Sequence, residues 1–144
     1  MESILEGMRN YLAECPLLAE ITPKNRHIDW TDSGNNNYGI FFDKNTPVGD
    51  PYINGTQEME YAVQINVRKL SCDDVKRLEN NAFLERLQRW FMAQTACGNL
   101  PELPENCIPN SIDAVNAGLL ETSSSGDKGV YMIQVILNYT LEVR

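Results

Sequence analysis

The sequence predicts an α+β domain in the order α-β-β-α-β-β, a mostly antiparallel sheet with two helices packed on one face. Three observations carry this. Residues 58–68 alternate apolar and polar at period two, which is a strand with one buried face. Residues 75–94 repeat their apolar positions at 3–4 spacing, which is a long amphipathic helix. The run "VYMIQVILNYTLEV" is β-rich and reads as a long strand.

At the start, Ile4, Leu5, Met8, Tyr11 and Leu12 make the stripe of a short helix. It stops at "CPLL" because Cys15 precedes a proline and is driven out of the α region. From Ile21 to Asn37 the chain is polar and broken by Pro23, Gly34 and three asparagines, a connection with at most one short strand. "YGIFFD" is a strand, followed by the turn-rich "KNTPVGDPYINGT". In the next strand Met59, Tyr61, Val63, Ile65 and Val67 face the core.

"SCDD" reads as a capping box, with Ser71 at N-cap and Asp74 three residues on. The helix stripe then comprises Val75, Leu78, Ala82, Phe83, Leu87, Trp90, Phe91 and Gln94. Gly98 stops it, and Pro101 and Pro104 prevent its resumption. "SIDAVNAGLLET" is a strand with a bulge near Val115, and "SSSGDKG" a hairpin loop. No composition shift marks a second domain, so residues 1–144 form one.

On the last strand Tyr131, Ile133, Val135, Leu137, Tyr139 and Leu141 define one face, yet Val130, Met132 and Ile136 make the other apolar as well. Two helices cannot cover both faces. Either the outer face docks on another copy or a partner, or the Ile21–Asn37 or Gly98–Asn110 loop shields it.

The formal charge of −8 repels phosphate, which argues against sequence-independent binding to nucleic acid or to anionic membranes. No leader pattern or long apolar run is present, and no membrane association is expected. Cys15, Cys72, Cys97 and Cys107 have no paired spacing and read as reduced, mostly buried thiols.

No motif for catalysis, cofactor or metal emerges. The single histidine, His27, lacks a local nucleophile partner and reads as a surface or loop residue. In "DWTDSGNNNYGI", Asp29, Thr31, Ser33 and Gly34 fall at calcium-loop positions 1, 3, 5 and 6. Ile40 stands where the bidentate glutamate belongs, so an asparagine-rich turn explains Asp29–Asn37 better. Glu58 and Glu60 lie on the polar face of a strand. The chain is expected not to be an enzyme, with a small ligand-binding domain or enzyme as the weaker alternative.

The order of pieces resembles a family of small phage and prophage tail proteins of Gram-positive bacteria, labelled minor capsid, minor tail or tail-terminator-like. The resemblance spans "ILEGMRNYLAECPLL", "YGIF", "DPYINGTQEMEYAVQINVRKL", "LENNAFLERLQRWFMAQTACGNLPEL" and "GVYMIQVILNYTLEV". It departs at "DWTDSGNNN". It implies a structural subunit that forms a ring, usually hexameric, on the end of a tail tube. The ring stops tube growth and meets the head connector. Partners would be the chain itself, tube subunits and connector proteins, first in the bacterial cytoplasm and then in the virion tail. Another tube or head-completion subunit is the nearest alternative.

Overall fold

The computed structural model describes residues 2–31, 36–123 and 127–142. Helix α1 (Ile4–Ala13) and a short α2 (Pro16–Ala19) are followed by strands β1 (Arg26–Ile28), β2 (Asn37–Pro47) and β3 (Gln57–Leu70). Helix α3 (Asp74–Cys97) and the hairpin β4 (Cys107–Thr122) and β5 (Lys128–Leu141) complete the chain. The strands form one sheet in the order β1-β2-β3-β5-β4, antiparallel except for the β1–β2 pair. The α+β class and the helices on one face are as the sequence predicts. Strand β1 is the one short strand allowed within Ile21–Asn37, and the addition is α2, too short to leave a periodic signal.

Cys15 adopts the extended conformation expected before proline, but the chain restarts immediately. Pro16 takes the first position of α2, where its missing N–H is harmless. Ile28 is followed by Asp29 in the left-handed region (φ 55°), which turns the chain onto the outer face of the sheet. There the Trp30 carbonyl lies so close to Gly39 that a side chain could not fit.

Ser71 is not the cap of α3. Strand β3 runs on to Leu70, paired with Lys128, and the Ser71 amide still donates to the Asp127 carbonyl at 2.9 Å. The helix can start only afterwards, so Asp73 becomes the N-cap and accepts from the Lys76 amide at 2.8 Å. The predicted stripe shifts with it. Val75 and Leu78 overhang the sheet and are exposed, whereas Asn80, Phe83, Leu84, Leu87 and Phe91 are buried. Asn80 joins the stripe because its amide donates to the Leu70 carbonyl at 2.7 Å, so burial leaves no polar group unmet. Gly98 closes the helix in the left-handed conformation (φ 77°), and its N–H and that of Asn99 take the last carbonyls.

The core lies between α1, α2 and α3 and the face of the sheet carrying Tyr38, Ile40, Val63, Ile65, Val67, Ile133, Val135 and Leu137. Trp90 is only partly buried. Its ring lies 5.5 Å from Tyr11 and 5.0 Å from Phe91, and so ties α1 to α3. Thr95 fastens α3 to β4 twice, donating to the Ile112 carbonyl and accepting from the Ile112 amide at 3.0 Å. Strand β4 begins four residues earlier than predicted. It accommodates Pro109 because it is an edge strand, and its pairing slips between Val115 and Gly118, near the predicted bulge.

Candidate functional site

His27 lies on β1 opposite Gly39 and helps line a cleft between α1 and the β1–β2 edge. No cysteine lines that cleft. All four cysteines are free, but only Cys15 is fully buried; Cys72 and Cys97 are exposed and Cys107 is half-buried. The expectation of mostly buried thiols is thus corrected: Cys72 and Cys97 sit beside the ends of α3, outside its contact with the sheet. Burial pushes the Cys15 and Cys107 thiols above their ordinary range, the opposite of what a thiolate nucleophile needs.

The calcium-loop pattern falls partly outside the described residues, since Ser33 and Gly34 belong to 32–35. Ile40 is buried in the core and pairs with Ile28 and Ile65. Among the described residues no three His, Cys, Asp or Glu side chains gather to hold a metal ion. Among the described residues, Lys69 is the cation held below its usual range, by desolvation first. Its ammonium sits 4.3 Å from the Phe83 ring centroid in a cleft shared with Glu20, Asn80 and Arg86, and cation–π packing explains that placement.

The outer face of the sheet is the larger feature. The Gly98–Asn110 loop does not cover it, because Leu100 and Leu103 pack against the core on the helix side. Of the Ile21–Asn37 connection, Trp30 and Thr31 shield the corner at Gly39, and residues 32–35 lie outside the described residues. Beyond that corner, Met132, Gln134, Ile136, Asn138 and Thr140 are each partly exposed. A polar lattice runs between them and their neighbours. Gln134 donates to Asp43 at 2.7 Å and accepts from Asn116 at 3.0 Å. Asn110 and Thr140 donate to the two oxygens of Glu58, and Lys44 pairs with Glu60 at 2.6 Å.

By register and hydrogen bonding, Asp43, Glu58, Glu60, Asp113 and Glu121 share this face with Lys44, Arg68 and Lys128. Its acids outnumber its bases, and Asp43, Glu58 and Glu60 are held by Gln134, Asn110, Thr140 and Lys44. That arrangement builds an acidic, partly apolar wall.

A second feature is the arm formed where β2 and β3 run past the helices. Its tip, residues 48–56, exposes Val48, Tyr52 and Ile53, the last completely. The tip is nonetheless ordered by its own bonds: Tyr52 N–H to the Thr56 carbonyl, Gly55 N–H to the Tyr52 carbonyl, and the Thr56 amide and hydroxyl to the Asn54 side chain. Sequence reasoning passed over this tip as a turn. The available signal was three large apolar residues inside a Pro/Gly-rich stretch, where no strand or helix period explains them.

No family model matches the chain, and no curated protein does. Among solved structures it is similar to a chain in the virion of a native gene transfer agent particle. The two are 10% identical, with a TM-score of 0.56, and the similarity covers 98% of this chain and 96% of the other. At that identity the likeness establishes a shared fold from end to end.

Proposed function

We propose that this protein is a structural subunit of a phage-like virion, and within it a tail terminator: copies close into a ring on the end of the tail tube, stop its growth and present a surface to the head connector. The observation that carries the reading is the end-to-end likeness to a virion chain, with neither protein left with a substantial unmatched segment. The outer face of the sheet, crossed by hydrogen bonds among Asp43, Gln134, Asn116, Glu58, Asn110 and Thr140, suits a contact wall, and a terminator role asks for no catalytic residue, metal or cofactor. The acidic outer face suits the lumen of such a ring, since DNA passing through it meets carboxylates that do not hold phosphate.

The test is a tube-length experiment. Purified tail-tube subunits are polymerised with increasing amounts of the protein, and lengths are measured by electron microscopy. A terminator shortens the tubes in proportion to its concentration and decorates one end only. Decoration along the whole tube would identify a tube subunit instead. Tubes of unchanged length and bare ends would sink the virion-assembly reading.

A further inference from the structure

The arm tip and the cleft beside β1 are complementary, and no described residue of the same copy occupies either. The cleft has a volume of about 200 Å³, below the roughly 300–1,000 Å³ of small-molecule sites but enough for side chains of a protruding loop. Its floor is Tyr38 and Ile40, each 1% exposed, with Pro23 and Ile28 on the wall. Arg9 and Arg26 bring two cations to it in a chain whose net charge is −8. Arg26 is fixed in place, donating to the Ile21 and Ala19 carbonyls at 2.7 and 3.1 Å. Arg9 contacts only the Asn10 amide oxygen, and among the described residues neither arginine is in an ion pair.

The tip offers the converse. Val48, Tyr52 and Ile53 are apolar and exposed, and Asp50 is the only charged residue between 48 and 56. It is also stiffened by its own hydrogen bonds, which lowers the ordering cost of binding. A tip cannot fold back into its own cleft. Ile40 in the cleft and Val48 at the base of the tip lie on, or just beyond, the same extended strand, eight residues or about 26 Å apart.

We infer that the arm tip of one copy docks in the β1-edge cleft of the next, with Tyr52 and Ile53 on the Tyr38–Ile40 floor and Asp50 between Arg9 and Arg26. The two surfaces lie at different places on the molecule, so the contact is head-to-tail, the type that closes into a ring when the rotation per copy allows. This rests on the ring reading above and supplies its interface. Charge complementarity selects a second copy's tip as the occupant. An acidic segment of a tube subunit is the competing one.

Sedimentation velocity across a concentration series tests it, with three full-length variants. Tyr52→Ser/Ile53→Ser cripples the tip, Arg9→Glu cripples the cleft, and Asp50→Arg reverses the tip charge. All change exposed residues, and circular dichroism melts confirm that each still folds. The wild-type chain should assemble into one discrete species, while each variant alone requires at least about tenfold higher concentration. Mixing the tip-crippled with the Arg9→Glu variant should give a dimer and nothing larger, because only one tip–cleft pair in such a mixture is competent. Arg9→Glu combined with Asp50→Arg in one chain should associate more tightly than either single variant, short of wild type because Arg26 still repels the reversed tip.

A discrete wild-type oligomer that persists in the tip and cleft variants overturns the docking and leaves the ring in place. A wild-type chain that stays monomeric throughout overturns it too, while the virion role is decided separately by tube capping. If Arg9→Glu abolishes capping but the tip variant caps normally, the cleft takes a tube segment and the inference is wrong.

Discussion

Ile133 and Ile136 stand three residues apart on one strand, and they show how differently the two faces of this sheet are built. Ile133 is fully buried under the helices, in contact with a core that includes Phe91 and Leu87. Ile136 points the other way and is only partly covered, among the amides and carboxylates that cross-link Asp43, Gln134 and Glu58 with their neighbours. One face is held by apolar burial and the other by a surface lattice of hydrogen bonds. The first should govern whether the chain folds, the second what it meets once folded.

The largest expected effect breaks the covered face. Phe91 is 0% exposed at the centre of α3's contact with the sheet, and Phe91→Ala should cost about 3–5 kcal/mol. Ile133→Ala should follow at about 2–5 kcal/mol. Trp90 is a poorer target than its size suggests, because it is only partly buried. Urea unfolding of the isolated chain measures these differences, and a loss below about 1 kcal/mol for Phe91→Ala would show that α3 does not seal this face.

Next comes an effect of pH on the same core. Burial, ahead of every other cause, raises the phenol pKa of Tyr11, Tyr38, Tyr61 and Tyr139 above the ordinary value. Tyr11 also donates to the Asn99 carbonyl at 2.9 Å, and Tyr139 donates to Asn45 at 2.8 Å. A folded-state pKa above the unfolded one means the folded chain holds protons that the unfolded chain releases. The associated stability is complete below about pH 10 and is lost as pH rises through the folded values. Melting temperatures should therefore fall steeply above about pH 10, and phenolate absorbance should appear together with unfolding. Four phenols that ionise normally in an intact fold would mean the core admits water.

How far the two faces were legible in the sequence follows from the same contrast. Tyr61, Val63, Ile65 and Val67 announced the covered face because a buried stripe must repeat with the strand's period. Phe83, Leu87 and Phe91 did so at the helical period. Ser71 misled because its role is set by pairing with the distant Asp127 segment, which outweighs a local capping pattern. Asn80 was missed because its burial depends on the Leu70 carbonyl, ten residues back. The docking cleft was invisible for a stronger reason: Arg9, Arg26 and Tyr38 come from three elements and meet only after the parallel β1–β2 pairing forms. Periodicity reports one element's face and carries nothing about which faces converge.

The smallest expected effect sharpens the comparison. Ile136→Ala removes the same atoms as Ile133→Ala, but from a side chain already partly in water, so the isolated chain should lose about 1 kcal/mol or less. Glu58→Gln should move stability by no more than about 0.5 kcal/mol, since Asn110 can turn its amide and Thr140 its hydroxyl to meet the new group. Both substitutions are read by the urea midpoint of the isolated chain, set beside Ile133→Ala under identical conditions. If Ile136→Ala proved as costly as Ile133→Ala, the outer face would be a second core surface, covered by contacts within the chain. It could then not serve as the wall of a lumen. A small loss would leave that face free of any folding duty, and its carboxylates available to meet whatever passes beside them.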